Sequence, residues 1–345
     1  MNITQTLTSG LIALLACSFV YSAGPESALT RSGRGSSQAR PGTSQHRPIR
    51  AEFAQVEKPD ATQPKGQDPK DILLSAADKL KGYASVRANI TEKVTIQTHS
   101  FIAKGSYLQG QNLQLRMEFT VELGGAKGSL LEVCDGQVLW TRHDLGEKDQ
   151  SQITRRDVRQ ILQAAEQAGQ RLKTPDEQAT LQTSIVADLG IGGLPALLAA
   201  FAKDYDFTKA TQGKIDDQDI VTIEGSWNAK YREMWQGSKS KDKAPPQLPV
   251  YVPDLVRMSF DKQTEFPRRI EFLKQLPGQS VPSPLMTVDF TKVVFNGKVS
   301  RDDFVFIAPE RPAPVDITQM YLQRLAPPKK DTKAAAPADS GKAAK

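Results

Sequence analysis

The chain predicts a mainly antiparallel β fold with helices, an α+β architecture in which one curved sheet of about nine to eleven strands is interrupted by two helices. Three observations lead there. Residues 112–123 alternate apolar and polar side chains without a break, the signature of an antiparallel strand with one wet face. Several other short alternating runs follow one another across Gly-rich and Asp-Gly turns. Between residues 157 and 202 the apolar period changes from two to that of a helix.

Taken in order, the folded region opens on a helix. Asp68-Pro69 supplies a cap followed by the proline favoured in a first turn, and Ile72, Leu73, Ala76 and Leu80 give one apolar stripe to about Lys81. Strands then follow at Ser85 to Gln97, with Val86, Ala88 and Ile90 on one face, and at Phe101 to Leu108. In the long strand from Asn112, one face carries Leu113, Leu115, Met117, Phe119, Val121 and Leu123, and the other Gln114, Arg116, Glu118, Thr120 and Glu122. Gly124-Gly125 turns the chain into Leu130 to Cys134, and Asp135-Gly136 is a two-residue hairpin signal leading to Val138 to Arg142. Helical spacing then places Val158, Ile161, Leu162, Ala165 and Leu172 on one side of residues 157–172. Pro195 to Ala202 is apolar all round and must be buried or lie over an apolar surface. Asp206 to Lys214 and Asp219 to Trp227 form a hairpin, and Leu255 to Asp261, Arg268 to Gln275 and Leu285 to Phe295 complete the strands.

The ends differ in kind from this region. Residues 1–22 contain an apolar run from Leu7 to Tyr21, too short for a comfortable membrane span and suited to a signal peptide cleaved before Ala23. A competing reading takes Leu14-Leu15-Ala16-Cys17 as a lipobox-like sequence that would leave Cys17 lipidated; the apolar residues after Cys17 weigh against it. Residues 23–67 and 326–345 are rich in Pro, Ser, Gln, Ala and Lys and read as a linker and a disordered basic tail, leaving 68–325 as one domain. Charge divides the same way. The chain carries a formal +6, yet residues 71–325 hold 32 basic and 32 acidic side chains, so the excess belongs to the tails. A basic nucleic-acid platform is thereby excluded, and a periplasmic or otherwise exported envelope location is expected, with anchoring through Cys17 as the alternative.

The inventory argues against catalysis and against a cofactor. Only Cys17 and Cys134 exist, so a mature chain forms no internal disulfide, and His46, His99 and His143 are too scattered to ligate a metal. No nucleophile elbow or zinc-protease motif occurs; Gly190-Ile191-Gly192-Gly193 lacks the Lys-Ser/Thr ending of a phosphate loop; Asp216, Asp217 and Asp219 lack the remaining ligands of a calcium loop. An enzyme is not expected, unless as a lipid-processing one whose residues meet only in three dimensions.

The ordered set of elements from about Ile72 to Thr318 resembles the bacterial lipoprotein carrier family, the LolA-like carriers. The residues that carry the resemblance are 81–93, a turn before an alternating strand ending in Glu92-Lys93; 105–119, a second hairpin; 131–140, a strand, an Asp-Gly turn and a strand bearing Trp140; 195–207, a helix leading into a hairpin; and Phe304-Val305-Phe306-Ile307-Ala308-Pro309, similar to a closing strand. Where the best-known carriers place an Arg-Pro pair ahead of the alternating strand, so that the Arg holds a helical lid, this chain has Gln111-Asn112, which points to different cargo.

The resemblance implies a half-open β-barrel with a helical lid on its concave face, carrying lipoprotein acyl chains or another hydrophobic lipid. It implies a wall of Leu113, Leu115, Met117, Phe119 and Val121, with Trp140, then Leu197, Leu198 and Phe201 from the lid, and Met258, Phe260, Val288 and Phe290 from the later strands. At about 0.8 kcal/mol per buried methylene, such a wall needs no charged contact to hold a chain. The same side chains read equally as an ordinary packed core, and the scaffold would then be an envelope structural or interaction module without a transported ligand. A cavity of several hundred Å³ is what separates the two. Residues 228–253, with Tyr231, Met234 and Trp235, then Lys239, Lys241 and Lys243 and a run of prolines, read either as a surface for a membrane or protein partner, a role the basic tails could share, or as a long hairpin connection containing a short helix.

Overall fold

In a computed structural model of the chain, residues 68–96, 99–123, 126–144, 151–236 and 248–326 are described. Residues 1–67, with the expected signal peptide, Cys17 and the expected linker, the residues beyond 326, Gly124-Gly125, and Lys239, Lys241, Lys243, Pro245 and Pro246 lie outside the described residues, as do the side chains of Met234 and Trp235.

Twelve strands form one sheet. β1 (Val86–Ile96), β2 (His99–Gln109), β3 (Gln114–Leu123), β4 (Ala126–Asp135), β5 (Val138–Asp144) and β6 (Gln152–Asp157) make one antiparallel meander. β7 (Tyr205–Ile215), β8 (Gln218–Trp227), β9 (Leu255–Asp261), β10 (Pro267–Lys274) and β11 (Ser283–Phe295) make another. β11 pairs antiparallel with β1 and fuses the two, and the two-residue β12 (Val315–Asp316) adds parallel to β6. The order is β12-β6-β5-β4-β3-β2-β1-β11-β10-β9-β8-β7, and among the described residues its two end strands do not pair with each other, so the barrel is incomplete, as expected.

Helices fill the concave side. α1 (Pro69–Lys81) is capped by Asp68, whose side chain accepts from Lys70 N at 2.8 Å, and buries Ile72, Leu73, Ala76, Ala77 and Leu80. Ser75 and Lys79 fasten it to the β9–β10 turn, Ser75 Oγ donating to Glu265 at 2.6 Å and Lys79 Nζ to the Gln263 carbonyl at 2.9 Å. α2 (Val158–Gly169) and α4 (Gly193–Asp204) fall where the helical spacing put them. Between them runs α3 (Pro175–Leu189), a third helix outside those the sequence predicts: its apolar stripe is narrow, Leu181, Ile185 and Leu189 among mostly polar residues. The connection after β8 carries the short α5 (Ala229–Gln236), where Tyr231 stacks on Trp227 at 4.1 Å and Trp227 on Tyr205 at 4.0 Å.

Two expectations are corrected. Leu113 precedes β3 rather than starting it, because Asn112 and Leu113 take φ of 54° and 64° in the turn out of β2. Phe304-Val305-Phe306 does not form a closing strand: Phe304 ends the 3-10 helix η1 (Arg301–Phe304), set by a Ser300/Asp303 capping box, and the chain then crosses the convex face. There the Phe304 ring is buried above Gly110, where a Cβ would collide with it. Phe306 packs on Trp140 at 5.4 Å, and the strap ends at β12, where Arg155 Nη1 meets Asp316 Oδ2 at 2.6 Å, and at α6 (Thr318–Leu325).

Candidate ligand cavity

Alternation decides which side chains face the helices. Residues of even number on β1 and β4 and of odd number on β3 point to the concave side, which buries Ile90, Leu115, Phe119 and Leu130 among them. Over the β7–β10 half of the sheet, α1 and α4 sit directly on this face and fill it: Phe201 of α4 packs at 5.5 Å on Tyr205 and at 5.9 Å on Phe272. Toward β1–β4 and β11, the α3–α4 turn bridges the sheet at a distance, and a cavity of about 140 Å³ remains beneath it.

The floor of the cavity is Ile90 and Glu92 of β1, Tyr107 of β2, Leu115, Met117 and Phe119 of β3, Leu130 and Glu132 of β4, and Ile270, Phe272, Val288 and Phe290 of β10 and β11. Its roof is Val186, the Gly190–Gly193 turn, Leu194, Ala196, Leu197 and Ala200. The glycine-rich motif therefore has a structural use. Gly190 and Gly193 take φ of 70° and 56°, and a Cβ on Gly193 would strike Tyr107 Oη and the Gln109 amide. This close approach lets the Leu194 N–H donate to Tyr107 Oη at 3.0 Å while the phenol donates to Gln109 Oε1, tying the start of α4 to the sheet. Burial raises the Tyr107 pKa, with the Leu194 hydrogen bond acting against it, so the phenol stays protonated.

Of the expected wall, Leu115, Met117, Phe119, Leu197, Val288 and Phe290 meet in the cavity. Leu113 lies in the turn, and Val121 one alternation further along β3, outside it. Leu198, Phe201, Met258 and Phe260 are fully buried in the filled half. Trp140 lies on the opposite face of the sheet, between Phe306 and the Arg155 guanidinium, which sits 6.0 Å over its ring. Its neighbours Leu139 and Thr141 are the residues that point inward, so the period-two rule alone separates Trp140 from the cavity.

The strand reading missed the polar members. Glu92 is in phase with Val86, Ala88, Ile90 and Val94, and Glu132 with Leu130 and Cys134; a charged residue on an apolar face was the available signal. Glu132 is supported: Thr141 Oγ1 donates to it at 3.3 Å and itself accepts from Arg156 Nη2 at 2.6 Å. Burial raises the Glu132 pKa, and Arg156 and Thr141 partly oppose it. Glu92 is 4% exposed, no described residue donates to its Oε1, and burial pushes its pKa up to about 8. Cys134 sits beside this wall as a buried thiol pushed up to about 11, chiefly by burial, an inert small hydrophobe rather than a nucleophile.

On the other side of the Gly190–Gly193 turn an open groove of about 660 Å³ is lined by Lys81, Tyr83, Gln109, Gln111, Asn112, Gln182 and Pro195. It shares Val186, Gly192 and Ala196 with the cavity, so the two spaces adjoin at these residues. Gln111-Asn112, the departure from the carrier pattern, faces this groove. Among the described residues no cluster of three metal-ligating side chains occurs, and no described helix is long and apolar enough to cross a membrane.

No protein-family model matches the chain, and no curated protein matches it. Among solved structures it is similar to MucB, at 14% identity over 71% of this chain and 65% of that one, TM-score 0.36. The chain thus spans just under two thirds of that relative. It is also similar to the Mycobacterium tuberculosis lipoprotein LppX, at 12% identity over 68% and 98% of the two chains, TM-score 0.33. A LolA superfamily protein from Nitrosomonas europaea is similar at 14% identity over 70% and 99%, TM-score 0.26.

Proposed function

We propose that the protein is an exported, non-enzymatic binding protein or carrier that holds a hydrophobic lipid ligand, such as a lipoprotein acyl chain, in the half-barrel. The carrying observation is the apolar cavity between sheet and α3–α4 turn, which adjoins an open groove at Val186, Gly192 and Ala196. At about 140 Å³ it is smaller than the several hundred Å³ of an ordinary ligand site and comparable to the engineered cavity that holds benzene, roughly 150 Å³. It seats a short stretch of chain as it stands. A longer one needs the turn to move toward the groove, which joins the two spaces. Each methylene taken in contributes about 0.8 kcal/mol.

The filled β7–β10 half, and a cavity below the several hundred Å³ expected of a carrier, support the second reading, an envelope structural or interaction module. Native mass spectrometry of the mature protein separates them. Co-purifying lipid that is lost in Phe119→Asp and in the roof variant Leu197→Glu supports carriage. Protein that arrives empty and takes up no acyl probe defeats it.

A further inference from the structure

Glu92 stands where an apolar residue would be expected. Reading across the sheet in register, Ala210, Ile223, Met258, Ile270, Val288, Glu92, Ala103 and Val121 form one continuous inward row over eight strands. Seven are apolar and one is a carboxyl group that borders the cavity, with one oxygen unpartnered among the described residues. Leaving a buried polar atom unpaired costs about 1–3 kcal/mol, a cost a Val or Leu at this position would remove. Ala103 stands opposite Glu92 in the β1–β2 pairing and offers no side-chain donor to it.

We propose that the cavity selects, among hydrophobic ligands, one that carries a hydrogen-bond donor, an ammonium or a hydroxyl group, and that Glu92 receives that donor. This rests on the reading of the cavity as a lipid site. Of the other polar side chains of the lining, Tyr107 is bonded to Leu194 and Gln109, and Glu132 accepts from Thr141 through Oε1, whereas Glu92 Oε1 is the one buried lining oxygen without a partner among the described residues. The titratable groups among the described lining residues are Glu92 from β1, Tyr107 from β2 and Glu132 from β4; β3, β10, β11, α3 and α4 bring none to it. No described lining residue is basic, so a carboxylate or phosphate head finds no counter-charge. An ammonium ionises the Glu92 carboxyl and sends its proton to solvent; a hydroxyl donates to it with no proton released.

Isothermal titration of the full-length mature protein at pH 7 with dodecylamine, dodecanol, dodecanoate and dodecyl chloride tests this. The amine and the alcohol are expected to bind about tenfold more tightly than the carboxylate and the chloride. Binding of the amine, and not of the alcohol, should release about one proton, read from the dependence of the heat on buffer ionisation. Glu92→Leu should bring the amine and alcohol down to the chloride while leaving the chloride bound, which shows the variant folded. Equal binding of all four by the wild type, or a preference that survives in Glu92→Leu, overturns the selection by Glu92 and leaves lipid binding standing. Failure of all four to bind overturns the lipid site itself.

Discussion

Glu92→Gln isolates the cost of the buried carboxyl. Its ordinary pKa of 4.5 rises to about 8 in the folded protein because burial disfavours the anion. Between those values the unfolded chain has released a proton that the native state still holds, so this group's contribution to stability falls as pH rises. The loss begins near pH 4.5, runs at about 1.4 kcal/mol per pH unit, and levels off above about pH 8, where both states are ionised. By pH 7 it has reached about 3 kcal/mol, and at its plateau about 5 kcal/mol. Glutamine cannot titrate, so whatever fixed difference the amide introduces is the same at every pH. Urea unfolding of wild type and Glu92→Gln from pH 5 to 8.5 should therefore give two stability curves that diverge, the variant gaining steadily on the wild type up to about pH 8. Parallel curves would show that the carboxyl is already ionised in the fold, and with it that Glu92 is hydrated or paired. A variant that gains toward low pH would reverse the sign and refute the burial argument.

The remaining predictions concern other parts of the molecule. Gly193→Ala forces a Cβ into Tyr107 Oη and the Gln109 amide at a φ of 56°, and should cost about 1–3 kcal/mol in urea unfolding, with a loss of hydrogen-exchange protection at Leu194; an unchanged protection would disprove the tie between α4 and the sheet. Trp140→Ala removes the stack with Phe306 and the Arg155 contact on the convex face, so it should lower stability by about 2–4 kcal/mol while leaving acyl-probe affinity unchanged; a lost affinity would place Trp140 in the site. At pH 8 the buried Cys134 thiol should react with a disulfide reagent only after unfolding, and rapid labelling of the native protein would contradict its burial.

How far the site could be read from the sequence follows from the range over which each signal acts. Alternation is local. Asn112 to Leu123 fixed the inward face of β3, and the same rule, applied strictly, assigns Trp140 to the outside and Glu92 and Glu132 to the inside. Residue type points the other way: Trp140 is apolar yet out of phase with the inward face, and Glu92 and Glu132 are charged yet in phase with it. Helical spacing predicts α1 and α2, whose apolar residues fall on one stripe, and α4 is announced by being apolar all round; α3 gives a weaker signal, its stripe being the narrow one of Leu181, Ile185 and Leu189 among polar residues.

Other features have no local signal. The pairing of β1 with β11, which joins Glu92 to Val288, closes a loop of nearly two hundred residues, and nothing in either strand names its partner. Phe304-Val305-Phe306 alternates like a strand, yet the capping box at Ser300 and the pocket above Gly110 turn it into a strap.

By itself the sequence determined the class of fold, the inward face of the strictly alternating β1 and β3 and the segregation of charge into the ends of the chain, because these depend on near neighbours and on composition; the short β6 and β12 lie outside the strands it predicts. Only the tertiary structure decided that one half of the concave face is filled and the other hollow. That difference arises from where α1 and α4 land on the sheet, a packing outcome that leaves Met258 and Phe260 in the core and Met117 and Phe119 at the cavity. It also leaves one carboxyl, Glu92, bordering the space with its Oε1 unpartnered among the described residues.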